Sequence, residues 1–178
     1  MTVKPWKILE SKYLFPDVRI DRCELPNGQI IEPITLVYEP EVTIFALTKE
    51  KEVVLIKEYR HGVQEIILQL PGGSVYEGEN PLEAAQRELL EETGYQSDTF
   101  IEIGRVNPNP ANYANTMYAF LALEVEQAID RNPNESDQIE IMLIPFDDVI
   151  AKAKNGELLH SLTISTIFFA LAQLGRIN

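Results

Sequence analysis

The sequence predicts a mixed α/β (α+β) fold with a small N-terminal antiparallel β-hairpin. Three observations predict it. Strand-length runs rich in Val, Ile, Phe and Leu lie on both sides of residues 81–93, residues 81–93 themselves carry the punctuation of a helix, and an Asn-Gly turn signal separates two extended runs near the N-terminus. With 178 residues, the chain is long enough for one domain with a substantial core.

Taken in order, residues 17–38 form the hairpin, turning at Leu25-Pro26-Asn27-Gly28. Strands are expected at 42–48, 53–59 and 66–70, the first two separated by the charged turn 49–52. Residues 71–79 carry Gly72, Gly73 and Gly78 and read as a loop whose backbone can approach an ion or a phosphate. Asn80 is the expected N-cap of the next helix, Pro81 its first turn, Glu83 its capping-box partner and Gly94 its stop. Further strands are expected at 100–106, 117–125 and 139–144, interrupted by Pro/Asn-rich loops at 107–115 and 131–138. Residues 145–154 and 162–175 read as helices ending near Gly156 and Gly175.

Composition excludes some functions. A formal charge of −13 disfavours nucleic-acid and anionic-membrane binding, since both rest on fields of Lys and Arg. The apolar tract 162–174 is shorter than the roughly 20 residues that span a bilayer. A lone Cys23 cannot form an internal disulfide, and no leader pattern opens the sequence, so the expected location is cytoplasmic.

The helix at 81–93 carries the chemistry. At 100° per residue Leu82, Ala85, Leu89 and Thr93 share one face, and Glu88, Glu91 and Glu92 share another with Arg87 at its edge. Like charges one turn apart repel by a few tenths of a kcal/mol each, roughly, and more where the dielectric is low. A hard divalent cation would compensate. The competing reading is a solvated acidic face with Arg87 bridging Glu83 and Glu91.

Gly73, five residues, Glu79, seven residues, then Arg87-Glu88-Leu89-Leu90-Glu91-Glu92-Thr93-Gly94-Tyr95 resembles the signature of the Nudix hydrolases at every specified position. The resemblance implies an α/β/α sandwich with a mixed sheet over residues 41–178, and an N-terminal β segment, 1–40, that serves dimerisation. It further implies hydrolysis of the phosphoanhydride of a nucleoside diphosphate linked to another moiety, dependent on Mg²⁺ or Mn²⁺. On this chain it casts Glu88, Glu91, Glu92 and the Gly72 carbonyl as metal ligands, Glu91 and Glu92 as catalytic, and Glu79 with Arg87 as a structural ion pair.

Outside the signature, Pro110 and the N-terminal segment resemble the ADP-ribose pyrophosphatase branch, which implies a nucleotide-sugar substrate and a homodimer. Where that branch commonly has Ser-Pro-Gly and a following Glu, this chain has Asn109-Pro110-Ala111 and then Asn115. Arg60 resembles the arginine that grips the diphosphate, and also reads as a surface cation ending a strand. Glu135 resembles a loop general base, with Asp137 and Glu140 as rivals. Tyr113, with Trp6, Tyr13 and Phe15, is a candidate platform for adenine, but core or hairpin packing is the commoner use for such rings. His160 reads as structural. Tyr113 also resembles a tyrosine of dinucleoside polyphosphate hydrolases, so dinucleoside polyphosphates and NADH stand as alternative substrates. A non-catalytic nucleotide-sugar sensor is the alternative of a different class.

Overall fold

The computed structural model describes residues 7–15, 17–129 and 139–177. Contacts divide the chain into two compact units, Met1–Glu39 with Asn107–Thr116, and Pro40–Val106 with Met117–Asn178.

The first unit is a four-stranded sheet. β1 (Lys7–Phe15) pairs antiparallel with β2 (Val18–Glu24), whose other side carries β3 (Ile30–Ile31) and β4 (Ile34–Leu36). The expected Asn-Gly hairpin joins β2 to β3, closed by Gly28 N–H to Leu25 O at 2.9 Å and Leu25 N–H to Gln29 O at 2.9 Å. β1 was not expected: KILESKYLF has no clean apolar alternation and is exposed at all nine residues, so it forms by backbone pairing to β2 rather than by burial. Asp21 of β2 is buried and bonded by Ser11, Arg19 and Thr35. Burial alone pushes its carboxyl up, but those hydrogen bonds and the Arg19 charge hold it below the usual value. The loop 107–116 ties onto β4 through Leu36 N–H to Asn112 O at 2.7 Å and Ala114 N–H to Leu36 O at 2.9 Å.

The second unit holds an eight-stranded sheet and three helices. Its strands are β5 (Glu41–Thr48), β6 (Glu52–Arg60), β7 (Glu65–Gln69), β8 (Gly72–Ser74), β9 (Tyr95–Gln96), β10 (Thr99–Val106), β11 (Met117–Gln127) and β12 (Glu140–Pro145). Their order is β10-β11-β5-β6-β12, with β7 on β6, β8 on β5 and β9 on β11. β11 and β5 are parallel and the other pairings antiparallel, so the sheet is mixed.

The two-residue period of a strand sends alternate side chains to opposite faces. Val42, Ile44 and Ala46 of β5, with Val54, Phe120 and Ala122, pack against Ala84, Ala85 and Leu89 of α1 (Pro81–Thr93). Phe45, Leu47, Val53, Leu55 and Leu121 pack on the other face against α2 (Phe146–Lys154) and α3 (Ser161–Gln173) through Val149, Ile167 and Ala170. The result is an α/β/α sandwich with α1 alone on one side. No helix among the described residues is long and apolar enough to cross a membrane.

Candidate functional site

α1 has the cap that its sequence dictates. The Asn80 side chain accepts from the N–H groups of Leu82 and Glu83, Glu83 returns a bond to Asn80 N–H, and Gly94 closes the helix in the left-handed region at φ 74°. The helix is turned differently from the expectation, however. Leu82 is 41% exposed, whereas Glu88 is only 9% exposed and lies in the buried set with Ala84, Ala85, Leu89 and Thr93. A buried carboxylate displaces Leu82 because the neighbouring backbone comes close enough to cover it.

That backbone is β8, expected to be a loop and found as a short strand on β5, with Gly73 opposite Val42 and Gly72 opposite Thr43. Two glycines make the approach sterically feasible. A Cβ on Gly72 would collide with the Val42 carbonyl oxygen, and one on Gly73 would fall 2.6 Å from Cδ of Glu88. Thus the Glu88 carboxylate sits directly against Gly73.

Arg87 organises the acidic side. Its guanidinium donates to both oxygens of Glu79 at 2.9 Å, to Glu88 Oε1 at 2.7 Å, to Glu91 Oε2 at 3.2 Å and to the Ser74 carbonyl at 2.9 Å, and it lies 4.2 Å over the Tyr76 ring. The fork joins the 74–79 segment to α1, and the Arg87 hydrogen bond, then that of Tyr76 N–H, holds the Glu79 carboxyl below its usual value. The Glu83–Arg87 bridge of the solvated-face reading does not form; Glu83 is spent on the cap. Glu91 is exposed, with a side chain 60% accessible.

Glu92 is the most perturbed of these acids. Its Oε2 accepts Gly72 N–H at 2.8 Å. Burial pushes its carboxyl up to about 8; the Gly72 bond opposes this, and the charges of Glu88 and Glu58 add to it. Burial and the neighbouring Glu88 and Glu58 charges disfavour the bare carboxylate unless positive charge compensates it.

Two residues whose charges reach Glu92, Glu58 and Arg60, belong to a closed polar ring on β6 and β7 that the sequence did not disclose. Arg60 Nε donates to Gln69 Oε1 at 3.1 Å, Gln69 Nε2 donates to Glu58 Oε2 at 3.0 Å, and Arg60 Nη2 reaches the same Glu58 oxygen at 3.1 Å. Gln69 is 1% exposed, so the ring is anchored in the core, while the Arg60 side chain stays 42% accessible. Beside it, Leu70 N–H donates to Thr163 Oγ1 at 3.0 Å, and the Thr163 oxygen lies 3.1 Å from His160 Nδ1.

Pro110 and Tyr113 lie in the 107–116 loop of the first unit, where Tyr113 meets Tyr38 edge-on at 5.4 Å. Glu140 is exposed and paired with Lys57 at 3.3 Å. Trp6, Glu135 and Asp137 lie outside the described residues.

Among the described residues no three Asp, Glu, His or Cys side chains group into a complete metal cage. The site offers two carboxylates, Glu88 and Glu92, against the Gly72-Gly73 backbone, and Glu88 Oε2 and Glu92 Oε1 have no hydrogen-bond partner among those residues. Such a donor set fits Mg²⁺, which is commonly held by one or two carboxylates plus water and substrate phosphates. The raised Glu92 carboxyl fits it too, because a cation would replace the proton.

The chain matches the NUDIX domain over residues 37–162. Over 167 residues it is 26% identical to an ADP-ribose pyrophosphatase of Bacillus subtilis, covering 93% of this chain and 89% of that protein. It is 23% identical over 173 residues to the methanol dehydrogenase activator of Bacillus methanolicus, covering 97% and 92%. A crystal structure of an ADP compounds hydrolase superposes with a TM-score of 0.82 at 19% identity, over 99% of this chain and 100% of that one, which establishes the shared fold.

Proposed function

The chain belongs to the NUDIX family as a Nudix hydrolase, and from that premise we propose that it is a Mg²⁺-dependent pyrophosphatase of ADP-ribose or a related ADP-sugar. Water attacks one phosphorus, the P–O–P bond breaks, and AMP and a sugar phosphate leave. The observation that carries the reading is the pairing of Glu88 and Glu92 against Gly72 and Gly73, with Glu92 bonded to Gly72 N–H. The 26% identity with an ADP-ribose pyrophosphatase along nearly the whole chain supports the substrate class.

Glu88 and Glu92 are the proposed metal ligands, with the Gly72 carbonyl and Glu91 as further oxygens. A bound Mg²⁺ would lower the pKa of water and neutralise charge developing on the diphosphate. Arg87 and Glu79 hold β8 against α1, so that the backbone and both carboxylates keep one geometry. Arg60, fixed by Gln69 and Glu58 yet accessible, suits a diphosphate oxygen. Glu135 or Glu91 is proposed for the general base.

The reading includes a homodimer. β1 is exposed along its length and presents Ile8, Leu9, Tyr13, Leu14 and Phe15, more apolar surface than an isolated edge strand leaves bare. Sedimentation equilibrium should give twice the chain mass; a monomer at micromolar concentration contradicts it. The buried free thiol of Cys23 suits a reducing, cytoplasmic compartment, which cell fractionation checks.

A panel of ADP-ribose, ADP-glucose, NADH, diadenosine polyphosphates and GDP-mannose tests the activity. The expected result is Mg²⁺-dependent release of AMP, fastest from ADP-ribose or another ADP-sugar. Faster cleavage of NADH or a diadenosine polyphosphate would move the substrate, and tight binding without turnover would make the protein a sensor.

A further inference from the structure

Gln69 ends β7 with a residue that is 1% exposed, and its amide stands between two opposite charges. Oε1 accepts Arg60 Nε–H at 3.1 Å and Nε2 donates to Glu58 Oε2 at 3.0 Å, the orientation that a cation on one side and a carboxylate on the other demand. A buried amide is costly unless bonded, and here both bonds go to charged groups.

The sheet brings this trio to the α1 side. β6 keeps unbroken register with β7 and β12, so Glu58 and Arg60 share a face with Val54, which packs against α1. Gln69, opposite Ile56, lies on that same face. α1 advances toward it: Glu88 lies against Gly73, and Glu92, one turn on, bonds Gly72. Gln69 is three residues before Gly72, so their Cα atoms are at most about 11 Å apart.

The amide also decides how Arg60 and Glu58 meet. Only one carboxylate oxygen, Oε2, takes part, and it meets Arg60 at the single atom Nη2, 3.1 Å away. Arg60 Nε, the neighbouring position that a two-point pair would use, is taken by Gln69. Arg60 Nη1 has no partner among the described residues, and the side chain is 42% accessible. Without the amide, Glu58 would close on Nε and Nη2 together, turning the guanidinium toward itself and neutralising it.

We propose that Gln69 is a positioning residue that keeps Glu58 and Arg60 from closing into a two-point ion pair, and so leaves the Nη1 side of Arg60 presented to a phosphate oxygen of the substrate. This rests on the reading of the site as a diphosphate hydrolase. Gln69 touches no substrate; it acts through Arg60.

The test compares wild type with Gln69→Met, which keeps length and burial, and with Gln69→Met/Glu58→Gln, in calorimetric binding of inorganic pyrophosphate with Mg²⁺ and in ADP-ribose turnover. Gln69→Met should bind pyrophosphate about tenfold or more weakly and lose kcat/KM mainly through KM. The double variant, with no carboxylate to capture Arg60, should recover most of that loss. A residue that only packs would show no such rescue, since the second substitution removes a further charged partner. Pyrophosphate binding by folded Gln69→Met within twofold of wild type, or a double variant no better than the single one, overturns the proposal.

Should Gln69→Met fail to fold, wild type decides. The Arg60 Nε–H signal in ¹H–¹⁵N spectra, assigned by its absence from Arg60→Lys, should exchange slowly with water before and after pyrophosphate is added, as a proton bonded to a buried amide must. Exchange as fast as that of an exposed arginine overturns the proposal. Wild type that cleaves no ADP-linked substrate refutes the proposed function instead, an outcome distinct from active wild type with an indifferent Gln69→Met.

Discussion

Replacing Glu92 by glutamine separates the two demands on this side chain. The amide oxygen of the Glu92→Gln variant can still accept Gly72 N–H, so the β8–α1 junction should persist, but the group no longer titrates. In the metal-free wild type the folded carboxyl titrates near 8 against 4.5 in the unfolded chain. A raised folded value contributes stability that is fully present below 4.5 and is lost as pH rises through about 8. At about 1.4 kcal/mol per pH unit the whole window is worth roughly 4–5 kcal/mol, of which a few kcal/mol should be measurable.

The assay is urea unfolding of both proteins in EDTA at several pH values from about 5 to 8.5, the range over which the linkage acts. Using the difference between the proteins cancels other groups, including His160, whose depressed value works oppositely: its stability is present above 6.5 and lost as pH falls through about 4. The Glu92→Gln protein should gain on wild type steadily as pH rises, ending a few kcal/mol more stable, and added Mg²⁺ should stabilise wild type alone. Turnover of the variant should fall by orders of magnitude. Parallel pH profiles in EDTA would refute the account of Glu92 as a strained, cation-seeking carboxyl.

Gly73→Ala should fold yet lose about tenfold or more in activity, because its Cβ must displace the Glu88 carboxylate; rates and near-native circular dichroism check this. Arg87→Met should lower the melting temperature and activity together, since it releases Glu79, Glu88 and the Ser74 carbonyl at once. Asp21→Ala should destabilise the first unit by about 2–4 kcal/mol by removing the acceptor shared by Arg19, Ser11 and Thr35, as denaturant titration would measure. Asp21 in wild type contributes stability present above 3.8 and lost as pH falls through its lower folded value.

What could be read from the sequence was what local chemistry decides. Asn80, Pro81, Glu83 and Gly94 set the limits of α1, and the expected strands match β5, β6, β7, β10, β11 and β12 within a residue or two because burial imposes period-two patterns or continuous apolar runs. β1 escaped because nothing it buries patterns it, and β8 because Gly-Gly has little intrinsic preference for a strand and pairs only when β5 is beside it. Helical periodicity placed Leu82 inside and Glu88 on the polar arc; the close backbone of β8, a tertiary fact, reversed them. The Gln69 ring and the contacts of His160 with Thr163 and of Thr163 with Leu70 depend on the tertiary fold, so no local pattern announces them. A Gln in an otherwise apolar strand, IILQL, was the one available signal, since a buried amide must find partners.

The central claim is that Glu88 and Glu92 seat a divalent cation. Mn²⁺ titration followed by electron paramagnetic resonance, on wild type and on Glu88→Gln/Glu92→Gln, addresses it without depending on any substrate. The account predicts bound Mn²⁺ in wild type, displaced by Mg²⁺, and its loss in the folded double variant; equal binding by the two proteins, or none by wild type, contradicts it.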